Sequence, residues 1–496
     1  MSVFSKATSH GRRLFLGGAA ATVGLLALRR IRSVAAQPPA VTSPEDLERI
    51  EAAIPTKTFA TPRKPRRLLI FDLNVGYGGH GSIATANTAF TLMGAKTGAF
   101  ETVVSRDPAV FESESLRQFD AVFFNNTVGN CFEEPTLRQN LVEFVYGGGG
   151  LMGVHGTSVA FTKWPGAIED WPEFGIMLGA RGANHYESDE HVFIKLDDST
   201  HPIVQPFGGD FDYRDEFFRV HEPYSRDRVR VLLSIDMDKT KMDSQPRGNT
   251  IRADNDYALA WVRGYGRGRV FYCGFAHNPY IFWDPKMLQF YLAATQFALG
   301  DLPAPTTPSA KLTPAVRAQE QVGWRLCLVA PLSGEMTLFE IIDKAAELGF
   351  RYVGGGSRQK VSSDIPRNFD DRLNDDDMRQ IRLKLDAAGV RLLTYHADRP
   401  SDSVARQKTS EFASRMGIDA WLPYTGHFDF KGVWDLCEAV RNDLATSVLR
   451  MAYPDRERAI FTIGFRCGQS TSEGELAEAI AVFNETTQEL VERGMS

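Results

Sequence analysis

Several stretches of the chain are apolar at consecutive rather than alternating positions. Leu68-Leu69-Ile70-Phe71, Ala121-Val122-Phe123-Phe124, Leu151-Met152-Gly153-Val154 and Val270-Phe271-Tyr272-Cys273 are each bounded by polar or glycine-rich segments. Short continuous runs of this kind predict strands buried on both faces. Between them, the stretch from Ser82, Glu134–Tyr146 and Lys286–Leu299 show helical spacing. Strands alternating with helices through short glycine loops predict an α/β fold, a doubly wound and mostly parallel sheet. Residues 186–235 differ: His191–Leu196 and Val229–Ile235 read as strands without long helices between them, which predicts added antiparallel structure. Four prolines between Pro303 and Pro314 mark a boundary. From Arg325 a second alternation starts, with strands at Leu326–Ala330, Tyr352-Val353 and Arg391–Tyr395. Its helices fall at Thr337–Leu348, Asp375–Ala388 and Ala405–Met416, and a last one at Glu473–Arg493. Beyond Trp421 the pattern blurs until that last helix. The reading is thus a linker at 38–65 with one short helix near Pro44–Ala53, a first domain at 66–302, a proline-rich linker at 303–324 and a second domain at 325–496.

Residues 1–37 read as an address. Gly11-Arg12-Arg13-Leu14-Phe15-Leu16 precedes an apolar run through Leu28, shorter than a bilayer span, and Val34-Ala35-Ala36 offers small residues for cleavage. The segment resembles a twin-arginine export signal. That resemblance implies passage through the Tat machinery to a periplasmic or other extracytoplasmic location, with an uncleaved membrane anchor as the alternative. Composition adds exclusions. With 43% hydrophobic and 24% charged residues and a net charge of −6, no basic face is expected for nucleic acid. Five scattered cysteines, an odd number without a C-x-x-C pair, indicate neither a disulfide framework nor a cysteine zinc site. Gly147–Gly150 precedes a strand instead of following one, so no nucleotide cofactor is expected.

Candidate chemistry gathers at predicted strand ends. His80 follows Gly78-Gly79 after the first strand, His155 follows the Leu151–Val154 strand directly, and His277 follows the last strand of the first domain. In an open parallel sheet these positions share the carboxyl edge where ligands bind. Imidazoles there can ligate a metal or move protons, or each can be a hydrogen-bonded structural residue. His185 follows Gly182-Ala183-Asn184. Asp215-Glu216, beside Phe217-Phe218, is an acidic pair whose burial would raise its pKa, or an exposed loop pair. Asn125, Asn126 and Thr127, together with Asn278, could bind ligand hydroxyls; the first three could instead cap a helix. Trp164, Trp171 and Trp261 could stack on a ring or pack in the core.

Jointly, His80-Gly81-Ser82-Ile83, Gly148–Gly150 leading to Gly153-Val154-His155, and Trp171 with Leu178-Gly179 ahead of His185 resemble the ThuA-like (trehalose-utilisation) family. His201-Pro202, Asp215-Glu216-Phe217-Phe218, Trp261, Gly266–Tyr272 and Ala276-His277-Asn278 complete the resemblance. Where that family often has Asp-His-Pro, this chain has Asp256-Tyr257-Ala258. The resemblance implies a flavodoxin-like sheet like that of class I glutamine amidotransferases, with His155 where those enzymes keep a cysteine. It also implies use of trehalose, related disaccharides or oxidised (keto) sugars. In the second domain, Ala346–Val353, Leu385–Val390, Tyr395-His396-Ala397 and Phe412–Gly417 resemble xylose-isomerase-like sugar isomerase barrels. The remaining length is short of the roughly 250 residues of a full barrel, which implies a partial (β/α) barrel, inactive or completed by another subunit.

The resulting expectation is an exported carbohydrate-processing enzyme acting on a small-molecule sugar by acid/base or metal-assisted hydrolysis, elimination or isomerisation. His155, Glu216, Asp215 and His277 are the expected catalytic residues. Asn125, Asn126, Thr127, Asn278 and Trp171 are expected to bind substrate, and His80, His155, His185 and His277 to hold zinc or a similar divalent ion. The alternatives are a non-catalytic sugar-binding protein and an isomerase housed in the second domain.

Overall fold

The computed structural model describes residues 42–164, 166, 168–241, 251–329, 336–398, 400–423, 463–466 and 473–492. The expected export signal at 1–37 lies outside the described residues, as do residues 424–462 and 467–472 of the stretch beyond Trp421 where the pattern blurs.

Helix α1 (Pro44–Ala53) starts at Ser43, whose side chain accepts the Asp46 N–H and so satisfies one of the free amides of the first turn. Strand β1 (Arg67–Phe71), helix α2 (Ile83–Thr97), β2 (Glu101–Ser105), α3 (Ser113–Leu116), β3 (Ala121–Asn125), α4 (Pro135–Tyr146) and β4 (Gly150–Val154) then alternate. A short ribbon follows, β5 (Thr162–Lys163) against β6 (Ile168–Glu169), and then helix α5 (Pro172–Leu178). The chain continues through β7 (Arg181–Gly182), β8 (Glu190–Leu196), β9 (Phe211–Asp215) and β10 (Val220–His221), with β7 and β10 paired antiparallel. Strands β11 (Arg230–Ile235), β12 (Ala258–Tyr265) and β13 (Gly268–Cys273) and helix α6 (Pro285–Leu299) complete the first unit.

Its nine-stranded sheet has the order β2-β1-β3-β4-β13-β12-β11-β8-β9. The five strands from β2 to β13 are parallel, with Ile70 beside Phe123, Phe123 beside Met152 and Met152 beside Phe271. In the antiparallel remainder only β12 and β8 run against the others, so the sheet is mostly parallel in sense. Successive side chains of a strand point to opposite faces. Leu68 and Ile70 of β1 and Phe123 of β3 therefore enter one core, under α1, α2 and α6. Leu69, Phe71, Val122 and Phe124 enter the other, under α4 and α5. Both faces are covered, which is why these strands are continuously apolar in sequence. The β2-β1-β3 order reverses direction at β1, and such a switch opens a crevice at the carboxyl edge.

The second unit consists of α7 (Pro314–Val322), β14 (Leu326–Val329), α8 (Leu338–Glu347), β15 (Tyr352–Gly356), α9 (Asp375–Ala388), β16 (Arg391–Ala397), α10 (Ser403–Arg415), β17 (Ala420–Pro423), β18 (Ile463–Arg466) and α11 (Glu473–Glu492). Its five strands are all parallel in the order β17-β16-β15-β14-β18. Consecutive strands are neighbours and the last lies beside the first, the connectivity of an arc of a barrel. The unit docks where β4 and β13 begin. Asp386 of α9 binds Arg228 at 2.6 Å and also Arg263, Arg379 binds Glu173 at 3.0 Å, and Arg415 binds Glu143 at 2.5 Å.

Both segments read as linkers are built into these units. Ile50 and Ile54 belong to the first core. Phe59 and Ala60 donate their N–H groups to Gln296, and Arg66 pairs with Asp120 and Asp301. Within 303–324, Pro314 opens helix α7, where its missing N–H is not needed.

Candidate metal centre

The centre forms at the carboxyl edge, above β1, β4 and β13. The turn after β4 is sharp: His155 has φ 41°, a left-handed conformation that a side chain with a Cβ adopts only at a cost. Surrounding bonds impose it. Thr157 Oγ1 donates to Phe124 O at 2.8 Å, and Tyr272 OH and Ser158 Oγ donate to His155 O at 2.9 and 3.1 Å. The imidazole is fully buried, with Nδ1 3.3 Å from Gly274 O. A carbonyl can only accept, so the proton sits on Nδ1 and the Nε2 lone pair faces the cluster.

His80 arrives from the loop after β1 and lies directly over Gly156, where a Cβ would come within 2.9 Å of its Cε1. His277 arrives from the loop after β13. The three rings pack edge to face, with centroids 4.8 Å (His80–His155), 5.3 Å (His80–His277) and 5.3 Å (His155–His277) apart. Glu216, just beyond β9, closes the set: its Oε1 is 3.3 Å from both His155 Nε2 and His277 Nδ1. One donor atom from each of His80, His155, Glu216 and His277 lies within 4.8 Å of the others. His80 Nδ1, His155 Nε2 and His277 Nδ1 are buried and have no hydrogen-bond partner. The 3.3 Å approaches to Glu216 are therefore contacts between donor atoms sharing one space, not satisfied hydrogen bonds.

Two residues join the loops. Asn126, itself at φ 53°, donates to Ser82 Oγ at 3.2 Å and Ala276 O at 2.9 Å, and its Oδ1 accepts the Gly156 N–H at 3.1 Å. It thereby ties together the three loops that bear His80, His155 and His277. Asp215 accepts the N–H groups of Ala276 and His277 on Oδ2 (3.0 and 3.2 Å) and, on Oδ1, the N–H and side-chain amide of Asn278 (3.0 and 2.9 Å).

The electrostatics follow from burial and crowding. Burial, and then the charges of His155 and His277, push His80 down to about 2. Burial also lowers His155, against the pull of Glu216. At His277 burial is outweighed by Glu216, and the pKa is raised. Burial opposes ionisation of Glu216, but the close approach of His155 and His277, with His185 near by, outweighs it and holds the carboxyl well below its usual range. Burial pushes Asp215 up to about 7, against its four N–H donors. His80 and His155 are thus held neutral with lone pairs available and Glu216 is held ionised; with His277 they form a donor set that suits zinc or a similar divalent ion.

Of the residues picked out from sequence, the structure brings together His80, His155, His277 and Glu216. His185 stands outside this set, with Nδ1 3.2 Å from the other carboxylate oxygen, Glu216 Oε2. Asp215 points away from the cluster into the 276–278 amides. Asn125 is fully buried and donates to Ile83 O and Asn87 Oδ1, and Thr127 is buried beside Thr157. With Asn126, these side chains take protein partners where ligand hydroxyls were expected. Asn278 also donates to Ser188 O. Trp171 packs against Phe161, Phe174 and Phe132 in the core, and Trp261 is buried, donating to Leu178 O. Tyr77 and Phe218 were not proposed as site residues, yet their rings touch it: Tyr77 lies 5.1 Å from His80, and Phe218 4.9 Å from His155 and 5.5 Å from His185. The glycines around Tyr77 were the available signal.

Fold and site together define an α/β protein of flavodoxin-like strand order with a three-histidine, one-glutamate cluster at its carboxyl edge. Residues 67–298 match the family model described as ThuA, trehalose utilisation, and the chain carries a ThuA-like domain over that span. Two solved structures similar to this chain are putative ThuA-like proteins. The one from Bacteroides uniformis ATCC 8492 is 19% identical, covering 48% of this chain and 93% of its own, with a TM-score of 0.39. The one from Parabacteroides merdae ATCC 43184 is 17% identical, covering 49% and 93%, with a TM-score of 0.35. No curated protein matches the chain. The family's description suggests a carbohydrate-related role.

Proposed function

We propose that the first unit is a divalent-metal-dependent, carbohydrate-active enzyme. His80, His155, His277 and Glu216 would hold one cation, zinc or similar, and the substrate is a disaccharide or an oxidised (keto) sugar. The observation behind this reading is the convergence of three partnerless imidazole nitrogens on one carboxylate oxygen inside 4.8 Å. Buried polar atoms left without a partner destabilise a fold, and a shared cation would satisfy all of them at once. Support for the sugar comes from the family description, trehalose utilisation.

A divalent ion in such a site polarises a carbonyl or hydroxyl oxygen and lowers the pKa of bound water. The protein's own groups do the rest. Gly274 O fixes the His155 tautomer, Asp215 fixes the loop carrying His277, and Asn126 fixes the spacing of all three rings. His185, with Nδ1 3.2 Å from Glu216 Oε2 and its ring partly exposed, would be the group to accept or return a substrate proton during hydrolysis, elimination or isomerisation. The second unit, docked at the opposite edge, would act as support rather than as an isomerase. Export through the Tat route, which carries folded proteins, would allow the metal to be loaded before transit.

The test is metal analysis of the purified protein together with turnover of keto-disaccharides. One ion per chain is expected, lost in His155→Ala, with turnover lost alongside it. A metal-free protein, or one whose turnover is unchanged by His155→Ala, refutes the reading; sugar binding without metal or turnover would point to a binding protein.

A further inference from the structure

The walls of the cluster are aromatic. Tyr77 stands beside His80, and its ring meets Trp164 at 5.5 Å and 63°. The ribbon carrying Trp164 is seated on the loop carrying Tyr77: a Cβ on Gly76, which has φ +71°, would come within 3.2 Å of Trp164 O. Both rings are half-buried and so present a face to solvent. Apolar side chains extend the same rim, with Val75 39% exposed and Ile168 66% exposed. The Tyr77 hydroxyl bonds to no described residue, yet it is near enough to Glu216 for that charge to act on it. The ion pairs of Glu216 are with His155, His185 and His277, and among the described residues none is with a lysine or arginine. Phosphate or carboxylate recognition ordinarily uses such cations.

Resting on the sugar-active reading above, we propose that Tyr77 and Trp164 form a stacking platform that selects an uncharged sugar ring. The apolar C–H face of the ring would lie on one aromatic ring with its edge against the other, as their 63° angle dictates, and its oxygen substituents would face the histidine–glutamate cluster and the Tyr77 hydroxyl. Rigid aromatic side chains suit this role, since they add contact area with few rotatable bonds to order. The platform makes Tyr77 and Trp164 specificity-determining residues, and a phosphorylated sugar would find no arginine or lysine paired within the cluster to hold its phosphate.

Calorimetric titration of the metal-analysed full chain tests this, using trehalose, methyl α-glucopyranoside, glucose 6-phosphate and the acyclic polyol sorbitol as probes. The neutral ring sugars are expected to bind, and the phosphate ester and the polyol to bind far more weakly. Trp164→Ala and Tyr77→Ala are each expected to weaken binding of the ring sugars by roughly 3- to 10-fold. Trp164→Phe should restore most of the loss, and metal content and melting temperature should stay at wild-type values. Unchanged sugar affinity in both alanine variants with metal retained overturns the platform and leaves the metal reading intact. Sugar binding that depends on both rings in a metal-free protein overturns the metal reading and leaves the platform. Tighter binding of glucose 6-phosphate than of the neutral glycoside overturns the selection against charge.

Discussion

Replacing Asn126 by alanine perturbs the centre without touching a proposed ligand. The variant loses both amide donations, to Ser82 Oγ and Ala276 O, and the acceptor for the buried Gly156 N–H. Ala276 O keeps its bond from Ser82 Oγ, so the Gly156 amide is the group left stranded, at about 1–3 kcal/mol. Alanine must also hold φ 53°, which adds about 1–2 kcal/mol where asparagine is tolerated. The sum is about 2–5 kcal/mol of lost stability, equivalent to a fall in melting temperature of about 10 °C for a unit of this size. Loops carrying His80, His155 and His277 would then shift independently, and loss of such outer bonds typically weakens a metal site about 10- to 100-fold. Thermal unfolding and competition with a chromophoric chelator measure the two effects separately. Asn126→Gly relieves the backbone strain alone, and Asn126→Asp restores the acceptor and a residue that tolerates positive φ but not the two amide donations, so each should recover part of the stability; neither should recover metal affinity. An Asn126→Ala protein that binds zinc as tightly as wild type would refute the idea that this amide sets the spacing of the three rings.

Other outcomes follow from the same geometry. Gly156→Ala places a methyl against the His80 ring and should lower zinc affinity at nearly unchanged secondary structure, read by chelator competition and circular dichroism. Zinc at a hundredfold excess over its Kd should stabilise the protein by about 2.7 kcal/mol, and His155→Ala should abolish the gain in a melting experiment. His201 is buried, caps Ile203 N–H, donates to Pro305 O, and is pushed by burial from 6.5 down to about 4. The unfolded chain binds the extra proton between those values, so stability is complete above pH 6.5 and falls by up to about 3 kcal/mol as pH drops towards 4; His201→Asn, which keeps an acceptor at the cap, should flatten that limb of a denaturation series. Asp386→Ala leaves Arg228 and Arg263 without their shared carboxylate, costing about 3–5 kcal/mol, and calorimetry should resolve the two units as separate transitions.

Much of this arrangement is legible from residue pattern because burial on two faces leaves a strong mark. Strands β1, β3, β4 and β13 are continuously apolar, and histidines at their ends mark the functional edge. Edge strands leave a weaker mark: β2 (Glu101–Ser105) has only two apolar residues, β9 (Phe211–Asp215) alternates buried or half-buried positions with exposed ones, and neither is among the strands the pattern predicts. The acidic pair shows a second limit. Asp215 and Glu216 are adjacent, so the pleat sends them to opposite sides, and which one enters the cluster depends on the register of β9 against β8. Asn126 shows a third. Its partners lie 30, 44 and 150 residues away, contacts with no local signature, so an amide at a strand end reads equally well as a ligand for hydroxyls. Proline at the first position of α7 read as a linker because a helix start and a chain break use the same residue.

The turn at His155 explains how one backbone device can serve different chemistry. A left-handed residue between a buried strand and a helical turn lifts its side chain clear of the sheet edge, as in nucleophile elbows. Here the side chain is an imidazole whose Nδ1 is committed to Gly274 O, which leaves a single in-plane lone pair aimed where His80, His277 and Glu216 converge. A nucleophile needs a substrate carbon on that line, whereas three further donor atoms occupy it. The elbow therefore presents a lone pair to the cluster, and the strain it stores is held by the Thr157, Ser158 and Tyr272 bonds beneath it. Arginine–carboxylate pairs that dock the second unit sit at the opposite, amino-terminal edge. The backbone strain at Asn126 and His155 gathers at one end of the sheet and the arginine–carboxylate pairs that dock the second unit at the other, the separation expected when a functional site is supported by stability built elsewhere.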